Sequence, residues 1–256
     1  MRLERFLLAI TLIASVSGCV SDAGGLKKED ASTKRQDAAR TRTDLGQKYM
    51  QQGKLEVALD NLQKALDYDS NYVDAHTVIA VLYEAINDPV KAGEHYKRAA
   101  ELKPKGGDVL NNYGWFLCRQ GHPDDAENYF VRALADPFYQ TPGVALTNSG
   151  TCLLRAGKRD QAEAQLRRAL ELQPNDGEAL FQLASALYQK GEYFKARAFM
   201  QRFETAAQPR PDALMLGRNI ELKLGNGSAA GDYTRRLMQS FPQSEQARSL
   251  NVQGQS

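Results

Sequence analysis

The side chains that could do covalent or metal chemistry are few and widely spaced in this sequence. The chain has 256 residues, and its candidate nucleophiles and metal ligands are Cys19, Cys118, Cys152, His76, His95 and His122. No pair of them has the spacing of a metal motif such as Cys-x2-Cys or His-Glu-x2-His. Asn148-Ser149-Gly150 lacks the preceding strand that a nucleophile elbow requires. We therefore expect a protein that is not an enzyme, with no catalytic site, metal, cofactor or small-molecule substrate.

The residues before Cys19 have the pattern of an export signal. Two arginines precede an apolar run from Phe6 to Val16. That run is too short to cross a bilayer, which needs about 20 helical residues. Residues 1–18 therefore predict a signal peptide rather than a transmembrane anchor. The alternative is an ordinary signal peptide cut near Gly18, with the cysteine there by coincidence.

The stretch Val16-Ser17-Gly18-Cys19 resembles the lipobox of bacterial lipoproteins. The resemblance implies cleavage before Cys19 and a covalent lipid on it, formed by a diacylglyceryl thioether and an N-acyl chain. Several acyl chains hold a protein firmly at a membrane, whereas a single chain binds only marginally. In the best-known sorting rule an aspartate after the cysteine retains such proteins in the inner membrane. Val20 therefore implies a lipid anchor in the outer membrane, facing the periplasm.

The two ends of the remaining chain differ in composition from its middle. Residues 19–37 are polar and charged, a composition that cannot bury a core. We interpret them as a lipidated flexible tether. Residues 248–256 are interpreted as a disordered tail.

Small residues recur through the middle of the chain in two parallel series. The series are Gly46, Ala80, Gly114, Gly150, Ala184, Gly217 and Ala58, Ala92, Ala126, Ala162, Ala196. Their steps are 33 to 36 residues, and most are 34. Neighbouring apolar residues such as Ile79 and Tyr83 add the three- and four-residue spacing of a helix. Each copy thus predicts a helix, a turn and a second helix that must stack on other copies to bury its apolar face.

These copies resemble the tetratricopeptide repeat (TPR), which combines Leu-Gly and Tyr in its first helix with Ala-x3-Phe in its second. The third copy shows the pattern in Leu110, Gly114, Ala126 and Phe130. The resemblance implies an all-α fold, a right-handed superhelix of about six helix-turn-helix repeats over residues 38–247. The copies span 39–72, 73–106, 107–140, 143–176, 177–210 and a divergent 211–247. The last copy fits only if its turn is lengthened.

One step in both series is 36 residues instead of 34. Pro137, Pro142 and Gly143 lie there, so the second helix of the third copy should end early and its link should be longer. A tolerated loop is our preferred interpretation. The alternative is a kink over residues 137–143 that separates two blocks of repeats.

Cys118 and Cys152 lie on the first helices of adjacent copies, two positions apart in the repeat. An oxidising periplasm would allow them to pair. Neighbouring helices pack about 8–10 Å apart, however, and a disulfide needs Cα atoms within about 7 Å. The sequence therefore predicts two unpaired thiols, buried or half-buried.

In the TPR family, first helices line a concave face through a fixed set of positions. On this sequence the set places large apolar residues at nominally exposed sites, which is typical of interaction surfaces. The candidate groove residues are Met50, Val81, Asn111, Trp115, Leu154, Phe181 and Tyr188. Trp115, the only tryptophan, is the best single candidate for a side chain that anchors a bound partner. The alternative is that curling of the superhelix or the N-terminal segment covers them.

The charge balance points to a protein partner. The net charge is +2, with no large basic field for nucleic acid or anionic lipid. The groove positions are mixed in charge. They suit a neutral or amphipathic protein segment.

A lipobox, a polar segment and five to six repeats together resemble the PilF/PilW lipoproteins of type IV pili, especially over residues 109–117. The resemblance implies a pilotin, an outer-membrane adaptor that binds the secretin subunit of the pilus exit pore. Such an adaptor promotes secretin localisation and multimerisation, and is needed for pilus biogenesis and twitching motility. The alternative is a TPR scaffold lipoprotein for another envelope machine, either the β-barrel assembly complex or cell-wall enzymes.

Overall fold

The structure, a computed structural model, describes residues 23–253, with side chains from residue 31 to residue 250. Over these residues the chain forms helices joined by short loops, without a strand. The helices of this part are α1 (Ala23–Gln51), α2 (Leu55–Tyr68), α3 (Val73–Ala85), α4 (Pro89–Leu102), α5 (Gly107–Arg119), α6 (Pro123–Leu134), α7 (Pro142–Arg155), α8 (Arg159–Leu172), α9 (Gly177–Gln189), α10 (Tyr193–Ala206), α11 (Pro211–Lys223), α12 (Gly227–Ser240) and α13 (Glu245–Gln253). None of them combines the length and the apolar character that a membrane span requires. The predicted signal peptide and the lipid site at Cys19 lie outside the described residues.

Consecutive helices pair into six hairpins, from α1–α2 to α11–α12, and each hairpin packs on the next. The last helix, α13, packs on α11 and α12. This arrangement confirms the predicted all-α solenoid of about six helix-turn-helix repeats. Stacking is what stabilises it, because the apolar face of one short helix pair is too small to fold alone.

The small residues of both series lie where the two helices of a repeat cross. The alanines of the second series, such as Ala162, are fully buried. At Gly150, a Cβ atom would lie only 2.5 Å from Cγ of Leu166. Glycine is therefore required there for Leu166 to fill the crossing.

A residue with positive φ forms the turn inside each repeat. Gly121 has a φ of 84°, and Asn87 takes the equivalent place in the second repeat with a φ of 59°. Gly225, with a φ of 74°, lies 34 residues after Gly191. The prediction of a lengthened turn in the sixth repeat is therefore wrong. The divergence is instead an offset within α11, where Gly217 precedes its turn glycine by one residue more than Gly150 does in the fourth repeat.

Both terminal segments are more ordered than we expected. Because α1 begins at Ala23, residues 23–37 continue a helix instead of forming a flexible tether. Lysine, glutamate, arginine and alanine propagate a helix readily once packing has nucleated it. A segment of low hydrophobicity can therefore continue a helix whose later residues are packed. At the other end α13 covers residues 248–253 of the supposed tail. Its Ala247 is fully buried against Leu237.

The longer link after the third repeat has the predicted cause. Helix α6 has 12 residues, whereas α8 has 14, and residues 135–141 connect α6 to α7. Helix α7 packs on both α5 and α6. The stack of repeats thus continues across the insertion.

Cys118 and Cys152 form a disulfide between α5 and α7, with Cα atoms 5.7 Å apart. The prediction of two unpaired thiols is therefore wrong. It compared a distance between helix axes with a distance between Cα atoms. Each Cα lies about 2.3 Å from its own axis, so facing Cα atoms of packed helices come much closer than the axes do.

His76 of α3 and His95 of α4 face each other in the second repeat. Their Nδ1 atoms are 3.0 Å apart, and Nε2 of His76 lies 3.1 Å from the carbonyl oxygen of Ser70. Nε2–H of His76 therefore donates to Ser70, and Nδ1–H of His95 donates to Nδ1 of His76. Burial, and then the charge of His76, lower the pKa of His95 to about 4. Burial also lowers the pKa of His76, with a smaller contribution from Arg98.

The neutral histidine pair should make the protein less stable in acid. An unfolded histidine titrates near pH 6.5, so between about pH 6.5 and pH 4 the unfolded chain binds more protons than the folded one. We expect the free energy of unfolding to fall by about 1 kcal/mol from pH 7 to pH 5, after allowance for partial exposure. Urea unfolding at both pH values measures this. His95→Gln should reduce this loss of stability, whereas the control His122→Gln, at an exposed site, should not. Equal losses in the wild type and both variants would contradict the assignment of the effect to the buried histidine pair.

Candidate protein-binding groove

The first helices of the repeats bring the concave-face positions together at the N-terminal end. A cavity of about 230 Å³ lies between α1 and α3. Its lining includes Arg40, Thr43 and Gln47 of α1 and Asp74 and Thr77 of α3. Most of the side chains that line this cavity are polar.

The seven candidate groove residues differ in accessibility. Val81 is 43% exposed, and Met50, Trp115, Phe181 and Tyr188 are half-buried. Asn111 and Leu154 are buried, at 5% and 8% exposure. These two cannot be surface anchors, because α5 and α7 pack closely enough to cover them. The Asn111 side-chain oxygen accepts a hydrogen bond from the Asn148 side chain at 3.0 Å, which links the two helices.

Trp115 lies on α5, and two arginines are close to its ring. The guanidinium carbon of Arg119 is 5.8 Å from the ring centroid, and that of Arg155 is 5.2 Å from it. The indole also packs on the core cluster that contains the disulfide of Cys118 and Cys152. It is therefore a half-buried aromatic ring with two positive charges close by.

The two arginines beside Trp115 have different electrostatic surroundings. Arg119 forms an ion pair with Glu84, whose carboxylate also accepts a hydrogen bond from the Tyr96 hydroxyl at 2.9 Å. Burial and the adjacent Glu84 raise the pKa of Tyr96, so it stays a donor at neutral pH. Arg155 is exposed and has no ion-pair partner within residues 31–250. An acidic group of a ligand bound at Trp115 would therefore interact with Arg155 rather than with Arg119, which is already paired.

Phe181, at the C-terminal end of the groove, is partly covered. The guanidinium of Arg210 lies 4.1 Å from its ring centroid and pairs with Glu178 at 2.7 Å. Tyr188 contacts Tyr193 with the two rings tilted by 54° and their centroids 5.5 Å apart. Of the seven candidates, Val81 is thus the most exposed apolar residue, whereas Trp115 and Phe181 are both half-buried.

The repeat register assigns both Arg119 and Arg155 to the concave face, but it does not predict that both lie close to the Trp115 ring. Arg119 and Arg155 occupy the same repeat position in the third and fourth copies, 36 residues apart. That recurrence was the available signal. In the part of the chain with described side chains, no three His, Cys, Asp or Glu residues lie close enough to hold a metal. The arrangement can bind a polypeptide through stacking and charge.

Three repeat-family models match the chain. The descriptions are tetratricopeptide repeat for residues 148–211, TPR repeat for residues 46–87 and tetratricopeptide repeat for residues 95–128. They fall on the repeats that the structure contains.

The chain is similar to type IV pilus proteins in sequence and structure. It is 29% identical over 181 residues to the type IV pilus assembly protein PilF of Pseudomonas aeruginosa, covering 71% of this chain and 72% of PilF. The crystal structure of PilW, a widely conserved type IV pilus biogenesis factor, matches with a TM-score of 0.79 and 34% identity, over 83% of this chain and 97% of PilW. A structure of P. aeruginosa PilF matches with a TM-score of 0.76 and 28% identity, over 86% and 99% of the two chains. The chain therefore belongs to the tetratricopeptide-repeat family, in the group of type IV pilus biogenesis factors that includes PilF and PilW.

Proposed function

We propose that this protein is a pilotin, an outer-membrane lipoprotein adaptor that binds the type IV pilus secretin. In this role it promotes outer-membrane localisation and multimerisation of the secretin, and thereby pilus assembly and twitching motility. The observation that carries the proposal is the match to PilW along 97% of that protein's length at 34% identity. The lipobox-like Val16-Ser17-Gly18-Cys19 and the following Val20 support the membrane assignment.

The groove supports a binding role for the protein. A half-buried indole with two guanidiniums close by can stack on an aromatic or apolar side chain and attract a carboxylate beside it. The adaptor function would then depend on confinement of the bound partner at the membrane. A lipid on Cys19 would keep captured subunits at the membrane and raise their local concentration without any further contact.

The N-terminal part of α1 bears on how the groove is held relative to the membrane. Residues 23–37 continue the first repeat as a helix. At 1.5 Å per residue this segment extends about 20 Å. A lipid on Cys19 would thus be joined to the repeats through a stiff spacer that holds them clear of the bilayer surface.

Two substitutions test the lipid-anchored function. Cys19→Ala should release the protein to the periplasm, while Val20→Asp should keep the lipid and move the protein to the inner membrane. We expect both to lower the amount of heat-stable secretin multimer in outer-membrane fractions and to reduce twitching, with protein levels unchanged. Wild-type multimer levels in both variants would contradict the proposed mechanism.

Co-purification identifies the partner. Tagged full-length protein from detergent-solubilised membranes should recover secretin. Recovery of β-barrel assembly or cell-wall proteins without secretin would replace the pilotin function by that of a scaffold for another envelope machine.

A further inference from the structure

The residues around the Trp115 ring carry more positive than negative charge. They are Glu84, Arg119 and Arg155, and together with Trp115 we call them the Trp115 face. Arg119 is paired with Glu84. Arg155 is exposed, its guanidinium carbon lies 5.2 Å from the ring centroid, and it has no ion-pair partner among the side chains of residues 31–250. The face therefore offers the uncompensated charge of Arg155 beside an aromatic ring.

Glu84 is the residue that removes Arg119 from this balance. Its side chain is 17% exposed, and its two carboxylate oxygens have different partners. Oε1 pairs with Arg119, while Oε2 accepts a hydrogen bond from the hydroxyl of the buried Tyr96 at 2.9 Å. Because Tyr96 anchors the carboxylate, a ligand could recruit Arg119 only by giving up this ion pair.

The combination of ring and arginines occurs once in the first five copies of the repeat. The positions equivalent to Trp115 in the other four copies hold Gln47, Val81, Thr151 and Ser185. Arg119 and Arg155 both lie in the last turn of a first helix, where a cation stabilises the carbonyl end of the helix. That general role accounts for an arginine at each position. It does not account for two arginines that approach the same ring.

The cavity between α1 and α3 has the opposite charge balance. Its lining contains Arg40, Asp44 and Asp74. Arg40 also pairs with Asp37 at 3.3 Å, whereas neither aspartate of the lining has an ion-pair partner among the residues whose side chains are described. A carboxylate of a ligand is therefore repelled from this cavity and attracted to Arg155.

The chemistry of the Trp115 face selects an acidic polypeptide. A guanidinium binds a carboxylate in a planar, bidentate contact, and an indole packs on an apolar side chain. Nucleic acids and anionic membranes are held by several basic residues at once, whereas on this face Arg155 alone is uncompensated. The complementary ligand is a protein segment with an acidic residue next to an apolar one.

We propose that the Trp115 face binds a partner segment that places a carboxylate at Arg155 and an apolar side chain on the Trp115 ring. Glu84 sets this preference, because it keeps Arg119 out of the contact. The inference deepens the pilotin function and rests on it where the partner is the secretin. The preference for acidic segments does not depend on the identity of the partner.

Synthetic peptides test the charge preference with the purified full-length protein. The probes are acetylated, amidated peptides of Ser and Gly with a central Leu-Phe pair, flanked on each side by Glu, Gln or Lys. We expect the Glu peptides to bind most tightly and the Lys peptides least tightly. The difference should shrink in high salt, which screens exposed charges.

Three substitutions separate the roles of the charges. Arg155→Gln should weaken binding of the Glu peptides about threefold, the effect of losing an exposed ion pair. Glu84→Gln keeps the size of the side chain and its contact with Tyr96 but frees Arg119, so it should strengthen their binding about twofold. Arg155→Glu should reverse the preference toward Lys peptides, a change that a loss of folding cannot produce.

Arg168 supplies the matched control for these variants. It is an exposed arginine of α8 that donates to the Gln165 side chain at 2.9 Å. Arg168→Gln changes the net charge as much as Arg155→Gln does, and it should leave the peptide ranking unchanged. The proposal is wrong if Glu and Lys peptides bind alike, if Glu84→Gln weakens the Glu peptides, or if Arg168→Gln has the effect of Arg155→Gln.

Immobilised secretin subunit distinguishes a failure of this proposal from a failure of the pilotin function. If secretin binds the wild type and all four variants equally, the pilotin function stands and the charge preference of the Trp115 face is wrong. If secretin does not bind while the peptides show the expected ranking, the pilotin function is wrong and this proposal stands. Phosphatidylglycerol vesicles that bind through Arg155 while no peptide binds would overturn the proposal in favour of a membrane contact.

Discussion

Replacing both Cys118 and Cys152 by alanine should lower the free energy of unfolding by about 3–4 kcal/mol. The disulfide closes a loop between residues 34 apart in sequence, and the chain-entropy model assigns about this much to a loop of that size. Alanine is the proper replacement, since both side chains are buried, at 5% and 1% exposure, and a serine hydroxyl would be buried without a designed partner. Urea unfolding followed by circular dichroism measures the difference.

The loss should be local as well as global. Because the bridge joins α5 to α7, hydrogen exchange should accelerate most over residues 107–155 and least over residues 211–240. Wild-type protein treated with a phosphine reductant should reproduce the effect of the double substitution. Identical unfolding of the oxidised and reduced proteins would contradict a stabilising bridge.

Trp115→Ala should weaken partner capture by about 2 kcal/mol, or roughly thirtyfold in Kd. The indole is a half-buried aromatic ring, and its removal also takes away the support for the guanidiniums of Arg119 and Arg155. Trp115→Phe should retain most of the affinity, because an aromatic face remains. Binding of the purified protein to immobilised secretin segments measures the effect.

Phe181 supplies the matched control for Trp115. It is also an aromatic residue on a first helix, but Arg210 lies 4.1 Å over its ring. Phe181→Ala should therefore change Kd by less than about fivefold. A larger effect at Phe181 than at Trp115 would move the interface to the C-terminal repeats. Melting curves of both variants separate lost binding from lost folding, since Trp115 also contacts a core cluster.

The groove residues show a limit of predicting side-chain exposure from the repeat register. Arg40 and Gln47 of α1 and Asp74 of α3 line one cavity. Counting along the 34-residue unit places Asn111 and Leu154 on the surface, but both residues are buried in the structure. A register assigns a direction to each side chain on its own helix. It does not state how closely the next helix approaches.

The ends of the chain and the insertion show a second limit. Residues 23–37 have a composition typical of flexible segments, yet they extend an existing helix, because propagation costs far less than nucleation. The two-residue insertion was visible in the sequence, but its consequence was not. The α6–α7 link is held against the α4–α5 loop, because Asp136 and Tyr139 both contact Gly107, about 30 residues earlier in the chain.

The sequence by itself determined the repeat, its length, its number of copies and the kinship with pilus proteins. The repeat pattern depends on residues within each 34-residue unit, where small side chains mark each helix crossing and glycine marks most of the turns. Only the tertiary structure decided which surfaces remain open, that Cys118 and Cys152 are bonded, and that two arginines lie close to Trp115. Those properties depend on distances between neighbouring repeats, which the spacing of residues along one chain does not specify.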